Sequence, residues 1–162
     1  MSIVCPQAKE GWKPHHGDVL GLVDDLIASG AADADRCYLT GLSMGGFATW
    51  EIAAAFPTRF VALLPVAAGV PPEAAQTREL PVWVFAGGED EYFPAAQVEP
   101  AFHEQRGTGA ESRFTTVAGA HHDRAFWNEV YSRPDLYEWL LTHSRRSEVH
   151  SAHQVGHRDG LR

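Results

Sequence analysis

The stretch that decides the fold is CYLTGLSMGGFATWEIAAAFP, residues 37–57. Cys37 to Thr40 form a short apolar run typical of a buried strand, and Gly46 to Phe56 predict a helix that the following proline closes. Between them, Gly41 to Gly45 form Gly-x-Ser-x-Gly, which predicts a tight strand-to-helix turn with Ser43 at its apex. Such a turn leaves no room for neighbouring side chains. We therefore expect its two flanking glycines to be required and the serine hydroxyl to lie at the carboxyl edge of a sheet.

Apolar runs alternate with amphipathic runs along the rest of the chain, without an internal repeat. This alternation predicts an α/β fold with a mostly parallel sheet of about five strands covered by helices. The predicted strands are Ile3 to Cys5, Cys37 to Thr40, Phe60 to Ala68, Val82 to Ala86 and Phe114 to Val117. The predicted helices are Asp18 to Ala28, with Asp18 as N-cap and Gly30 as stop, then Gly46 to Phe56, Ala95 to Arg106 and Pro134 to His143.

Length and composition fit one globular domain, with 162 residues of which 44% are hydrophobic and 21% charged. We expect this domain to cover residues 1–143. The polar stretch 144–162 predicts a flexible tail, because it has too little apolar surface to offset its ordering entropy. Thirteen Lys and Arg against 21 Asp and Glu give a net charge of −8, which disfavours nucleic acid and anionic membranes as partners.

The first residues of the chain resemble no export signal, and no apolar run is long enough to cross a bilayer. The sequence as written therefore predicts a cytoplasmic protein, with secretion left open if an N-terminal segment is missing. Two cysteines, Cys5 and Cys37, are too few and too far from any Cys-x-x-Cys spacing to predict a disulfide scaffold or a structural zinc site.

A nucleophilic serine needs a base and an orienting acid, and the chain offers both in the order serine, acid, histidine. Asp90 follows a predicted strand and is the candidate acid, with Glu89 and Glu91 as competitors. His121 and His122 follow the last predicted strand, and either of them is a candidate base. Spacing alone leaves this choice open.

Two other interpretations of these residues compete. Ser43 is a small residue that also suits a glycine-rich turn or a phosphate loop, although no Gly-Lys-Ser/Thr follows it. Several histidines with one aspartate are also possible metal ligands, although no His-Glu-x-x-His spacing supports this. They are His15, His16, His121, His122 and Asp123.

Three segments resemble α/β-hydrolase serine esterases of the polyhydroxybutyrate depolymerase and predicted-peptidase type. They are YLTGLSMGGFATWEIAAAFPTRFVALLPVAAG (38–69), PVWVFAGGEDEYFP (81–94) and HHDRAFWNEVYSRPDLYEWLL (121–141), and the resemblance covers about Ile3 to Leu141. It implies that Asp90 is the acid. It favours His122 as the base, because the base of these relatives stands in a Gly-His-Asp-x-Trp pattern.

The chain departs from that pattern around the base. Asp123 keeps its place, His121 replaces the glycine, and two further residues separate Asp123 from Trp127. Trp127 is nevertheless expected beside the substrate. The resemblance also matches six residues to the family's last helix, whose apolar stripe belongs to the core. They are Tyr131, Leu136, Tyr137, Glu138, Trp139 and Leu140.

The resemblance further implies a truncated α/β-hydrolase, since relatives have three more strands before the position of Ile3. One of them precedes the loop that donates the second oxyanion N–H. We expect Ile3 to Cys5 to slide beside Cys37 to Thr40, because unpaired buried backbone groups cost about 1–3 kcal/mol each. The Gln7 N–H is then the candidate second donor. Trp12 and His16 border the substrate mouth beside it, or pack on the surface.

The predicted function is a serine carboxylic-ester hydrolase acting on small short-acyl or aryl esters through an acyl-enzyme. In it, Ser43 attacks the carbonyl, His122 transfers the proton and Asp90 orients the imidazole. The N–H groups of Met44 and Gln7 stabilise the oxyanion, and no metal or organic cofactor is needed.

The alternatives are a small serine peptidase, a dienelactone-type hydrolase, and a catalytically weak truncated remnant or interaction module on the same scaffold. Ser43 speaks against the dienelactone type, whose nucleophile is usually cysteine. The open outer edge of the first predicted strand predicts self-association, most simply as a homodimer that buries the edge near Ile3 to Cys5.

Overall fold

A computed structural model describes residues 2–106 and 110–145, which form a parallel sheet covered by helices on both faces. Its four strands lie in the order β1-β2-β3-β4, so each pairs with the next along the chain. The strands are β1 Tyr38–Leu42, β2 Ala62–Val66, β3 Val82–Gly87 and β4 Ser112–Val117. The helices are α1 His16–Ala28, α2 Met44–Ala55, α3 Ala95–Arg106, α4 Arg124–Tyr131 and α5 Pro134–Thr142, with short 3-10 helices at Lys13–His15, Ala34–Arg36 and Pro72–Thr77. The predicted α/β class is confirmed.

The core has two halves, one on each face of the sheet. Leu63 and Val84 face α1, α2 and α3, where Trp50 and Phe102 fill the layer. Their strand neighbours face the other way, toward α4 and α5. Because successive side chains of a strand point to opposite faces, the fully buried β2 and β3 supply both layers. Because all four strands are parallel, the carboxyl ends of β1, β3 and β4 lie at the same end of the sheet.

The predicted first strand is wrong. Ile3 to Cys5 have no regular structure and are exposed, with Ile3 at 65% and Val4 at 49%. Three residues closed by Pro6, which has no N–H to donate, offer too few ladder bonds to offset the entropy of ordering them. The sheet therefore has four described strands, and β1 is its edge.

The expectation that Ile3 to Cys5 pair beside β1 is wrong, because β1 is not deeply buried at this edge. Its residues are half-buried, and Thr40 is exposed, so water reaches the outer backbone groups. An interface built on Ile3 to Cys5 as a strand loses its basis, while self-association itself stays a prediction.

The last helix, α5, starts at the predicted Pro134 and ends one residue before the predicted His143, whereas the resemblance had placed Tyr131 in the same helix. Tyr131 ends α4, a separate helix that was not predicted, and α5 begins at Pro134. Asp123 caps α4 by accepting a hydrogen bond from the Phe126 N–H at 3.0 Å. Pro134 cannot continue a preceding helix and fits only the first turn of a new one, so the chain breaks there.

Smaller differences concern the first helix and the tail. Helix α1 begins at His16, with Asp18 inside its first turn rather than at the cap, and Gly30 follows its end at φ +75°. Of the predicted tail, all but Ser144 and Arg145 lie outside the described residues. Among the described helices, none is long and apolar enough to cross a membrane.

A buried guanidinium joins α3 to the loop before β3. Arg106 is 1% exposed and donates hydrogen bonds to the carbonyl oxygens of Thr77, Arg78 and Leu80, the last at 2.6 Å. Burial lowers the pKa of Arg106 to about 10. Backbone carbonyls thus replace water around this cation, and we expect the contacts to be structural.

Candidate active site

Ser43 occupies the sharp turn between β1 and α2. Its backbone lies at φ 51° and ψ −116°, a region that residues with side chains rarely adopt. The Ser43 N–H donates to the Val66 carbonyl at 2.9 Å, which fixes the turn to β2. The half-buried hydroxyl is therefore presented at the carboxyl edge of the sheet, as the sequence predicts.

Close packing at this turn requires glycine at two positions, Gly41 and Gly46, whereas the sequence predicted Gly41 and Gly45. A Cβ on Gly41 would lie 2.2 Å from the Gly45 oxygen, and one on Gly46 would lie 2.6 Å from the Ala68 Cβ. A Cβ on Gly45 would meet no atom within 4 Å. The prediction that Gly45 must lack a side chain is therefore wrong. Gly41 packs against the backbone of Gly45, and the helix residue with no room for a side chain is Gly46.

Asp90 lies in the loop after β3 and is 2% exposed. Its Oδ1 accepts hydrogen bonds from the N–H groups of Tyr92 and Phe93, at 2.9 and 2.8 Å. Its Oδ2 lies 2.7 Å from His122 Nδ1. Both carboxylate oxygens thus have fixed partners, and the two competitors, Glu89 and Glu91, are exposed.

His122 connects this carboxylate to the serine. Its Nε2 lies 2.8 Å from the Ser43 Oγ, and only 11% of its side chain is exposed. Because a carboxylate only accepts hydrogen bonds, Nδ1 carries the proton facing Asp90, and Nε2 is free to accept the serine proton. The arrangement has the connectivity of a serine, histidine and aspartate triad.

Gly87 lets the loop of the acid approach the loop of the base. A Cβ at Gly87 would lie 2.5 Å from the Ala120 carbonyl oxygen and 3.1 Å from the Asp90 Cβ. The Glu89 N–H donates to the same oxygen at 3.0 Å, and the Gly88 N–H donates to the Val117 oxygen at 2.9 Å. These bonds hold Asp90 and the base within reach of each other.

Three aromatic rings surround the His122 imidazole. The ring centroids of Tyr92, Phe93 and Trp127 lie 5.0, 5.8 and 5.7 Å from it, all in edge-on geometry. Trp127 was expected beside the substrate, and the structure places its ring beside the imidazole. Tyr92 and Phe93 were not predicted, although both follow directly after Asp90. The only available signal was that the loop of the acid continues as Glu-Tyr-Phe.

The second histidine makes a separate pair outside the triad. His121 Nδ1 lies 2.8 Å from Glu91 Oε1, while Glu91 Oε2 accepts the backbone N–H of His122 at 3.1 Å. The His122 N–H is the main reason that the pKa of Glu91 falls to about 2. The hydrogen bond to Glu91 raises the pKa of His121. Spacing could not assign the two histidines, and their side chains have different partners.

The structure does not bring the remaining predicted residues to the serine. Gln7 and Trp12 line a cavity over α1 together with His15 and Val19, and no triad residue lines that cavity. His16 Nε2 lies 3.4 Å from Glu51 on α2. The wrong first strand explains this, since Gln7 was placed on the assumption that Ile3 to Cys5 pair with β1.

For the oxyanion, the described turn offers the Met44 N–H. Met44 is the first residue of α2, where N–H groups have no partner within the helix and the helix dipole favours negative charge. Met44 itself is 48% exposed, so the turn lies at the surface.

The predicted metal alternative finds no geometric support. His15 bonds Asp18 at 2.8 Å, and His121 bonds Glu91, while His122 belongs to the triad. Within the described parts of the chain, no three His, Cys, Asp or Glu side chains converge as metal ligands would. The side chains of His15, His121 and His122 therefore have three different carboxylate partners.

The fold of this chain is similar to the folds of solved esterases and serine hydrolases. A thermostable esterase aligns with TM-score 0.70 at 27% identity, covering 79% of this chain and 36% of its own. Esterase PE8 aligns with TM-score 0.57 at 18% identity, covering 72% and 57%. The fluorophosphonate-binding serine hydrolase FphF of Staphylococcus aureus aligns with TM-score 0.64 at 13% identity, covering 78% and 63%. The chain thus spans about a third to two thirds of the length of these neighbours.

Sequence comparison gives the family. No curated protein matches the chain, but the model of the dienelactone hydrolase family matches residues 9–152, which include Ser43, Asp90 and His122. The predicted kinship with α/β-hydrolases is thereby confirmed. The match spans the turn itself, so a serine at this position is compatible with membership of the family. This chain belongs to the dienelactone hydrolase family.

Proposed function

We propose that the chain is a serine carboxylic-ester hydrolase. The observation that carries the proposal is the hydrogen-bonded series Ser43 Oγ, His122 and Asp90, with distances of 2.8 and 2.7 Å, on a strained turn. Family membership and esterase neighbours support it. The proposal includes the closer relationship to esterases of the polyhydroxybutyrate depolymerase type that the sequence resemblance implies.

In the first half-reaction Ser43 Oγ attacks the acyl carbonyl carbon, and its proton passes to His122 Nε2. The carbonyl oxygen becomes an oxyanion that the Met44 N–H stabilises. Asp90 holds the imidazolium that forms. When the tetrahedral intermediate collapses, the ester C–O bond breaks and His122 returns the proton to the departing alcohol oxygen, which leaves the acyl group on Ser43.

The second half-reaction reverses these roles with water. Water attacks the acyl carbon while His122 takes one of its protons, and the bond to Ser43 Oγ breaks. His122 protonates that oxygen, so that the serine and the neutral imidazole are restored and the carboxylic acid leaves. Every proton is accounted for by the side chains described here.

The rings around the base favour small esters with an aromatic alcohol. Because His122 Nε2 protonates the departing oxygen, the group on that oxygen lies beside the imidazole. There Tyr92, 71% exposed, offers a free ring surface. Packing between aromatic rings contributes about 0.5–1.5 kcal/mol beyond burial. Tyr92→Ala should therefore lower kcat/KM for benzyl butanoate relative to ethyl butanoate by about two- to tenfold, and Tyr92→Phe should not.

Turnover of p-nitrophenyl acetate by the chain and by its Ser43→Ala variant tests the proposal. We expect hydrolysis by the unaltered protein and only the uncatalysed background with Ser43→Ala. Ser29→Ala is the matched control, since Ser29 is exposed at the end of α1, and its hydroxyl donates to the Leu26 carbonyl of the same helix. No turnover by a folded protein would favour a catalytically weak scaffold, and faster cleavage of a peptide p-nitroanilide would favour a peptidase.

A further inference from the structure

The loops that carry the acid and the base make a second carboxylate contact beside the triad. Asp90 contacts the ring of His122, and the next residue, Glu91, contacts its main chain through the bond from the His122 N–H to Oε2. The other oxygen of Glu91 bonds the ring of His121. Two consecutive acids thus contact two consecutive histidines, and one histidine is held at both its ring and its backbone.

We propose that Glu91 is a positioning residue for the general base, with His121 orienting the carboxylate of Glu91. This inference rests on the proposed hydrolase function for its effect on catalysis. Glu91 touches neither the serine nor the reacting atoms, so its effect passes through the placement of His122.

The geometry explains why such a support is useful. The loop that carries the base is short, and its backbone anchors lie before His122, at the bonds to Ala120 and Val117. After His122 the chain turns into α4, which Asp123 caps. The hydrogen bond that the His122 N–H donates to Glu91 Oε2 thus ties the backbone of the base itself to the loop of the acid. A displacement of about 1 Å at a catalytic group costs up to about a hundredfold in rate.

Charge around His121 favours its role as the partner of Glu91. The carboxylates of Glu91, Asp123 and Glu89 all act on His121 and raise its pKa. The protonated imidazole therefore persists to higher pH than that of an isolated histidine, and it keeps one oxygen of Glu91 occupied while the other faces the His122 N–H. Removal of His121 leaves the bond to His122 in place, so its effect should be smaller than that of removing Glu91.

The test compares Glu91→Ala, Glu91→Gln and the matched control Glu89→Ala by two readouts. Glu89 is an exposed acid of the same loop near His121, so its removal deletes the same charge without the contact. The first readout is hydrogen exchange of the His122 amide by NMR. The second is kcat and KM for p-nitrophenyl acetate on the pH plateau.

We expect Glu91→Ala to speed exchange of the His122 amide by about tenfold or more, and to lower kcat by about tenfold with KM little changed. Glu91→Gln keeps an acceptor oxygen and should restore most of the protection of the His122 amide and most of kcat. Glu89→Ala should change the exchange rate and kcat by less than about twofold each. Exchange of the His122 amide that does not respond to Glu91→Ala would overturn the proposal. If exchange responds but the unaltered protein hydrolyses nothing, the positioning contact stands and the proposed hydrolase function fails.

Discussion

Substitution of Asp90 by asparagine should disable the base without disturbing its surroundings. In the native site, Oδ1 of Asp90 accepts from the N–H groups of Tyr92 and Phe93. An asparagine must keep its single oxygen at that place to satisfy both donors. Its NH₂ group then faces His122 Nδ1, and since NH₂ only donates, the imidazole proton moves to Nε2. In this tautomer Nε2 donates to Ser43 and cannot accept its proton.

The expected fall in kcat follows from the free energy that the opposite orientation of the asparagine amide would cost. A flipped asparagine would place its NH₂ against the N–H groups of Tyr92 and Phe93, whose bonds to the carboxylate are partly buried, and each donor that is left unsatisfied away from water costs about 1–3 kcal/mol. The productive orientation is therefore disfavoured by about 2–6 kcal/mol, which corresponds to roughly thirtyfold to 10⁴-fold. We expect kcat to fall within that range, whose upper end matches the loss when a triad histidine adopts the wrong tautomer.

The assay is steady-state hydrolysis of p-nitrophenyl acetate, with circular dichroism to show that the fold persists. Glu89→Gln is the control, because it removes the same charge from an exposed side chain in the same loop. A loss of less than tenfold for Asp90→Asn would refute the reasoning. It would move the orienting role to another carboxylate of this loop.

Three further predictions concern the base, the turn and the core. His122→Ala should abolish hydrolysis and His121→Ala should retain most of it, as initial rates will show; the reverse result would reassign the base. Gly46→Ala should lower the melting temperature and the activity, because its methyl group has no room, whereas Gly45→Ala should change both little; equal effects would contradict the packing argument. Arg106→Met should lower the free energy of unfolding by about 2–3 kcal/mol, since it leaves buried carbonyls unpaired, and therefore the melting temperature by about 4–12 °C; an unchanged melting temperature in calorimetry would contradict its structural role.

The fold was predictable from the sequence wherever hydrophobic periodicity and special residues agree. Helix α3, Ala95–Arg106, has the predicted bounds, and β2 and β3 lie in the long apolar runs expected of doubly buried strands. The run Ile3 to Cys5 has the same local character but no strand. Local pattern does not tell whether a short run at the edge of a sheet gains enough bonds to become ordered.

The sequence predicted which loops of the site lie together at the carboxyl edge of the sheet, but not which side chains of those loops contact each other. The motif placed Ser43, and strand order placed the acid and histidine loops beside it. The choice among three successive acids depends on which carboxylate turns inward, and this follows from the close approach at Gly87 and from two backbone N–H groups. Neither contact has a signature in local sequence. The rings of Tyr92 and Phe93 were missed for the same reason.

The proposed mechanism requires Ser43 to form a covalent acyl-enzyme with the help of His122. The most direct measurement is mass spectrometry of the protein after acid quenching of its reaction with p-nitrophenyl acetate, followed by peptide mapping. We expect one acetyl group on Ser43 in the unaltered protein and none at that position in Ser43→Ala or His122→Ala. An unmodified Ser43 during turnover, or an acetyl group on another residue that accounts for the activity, would contradict it.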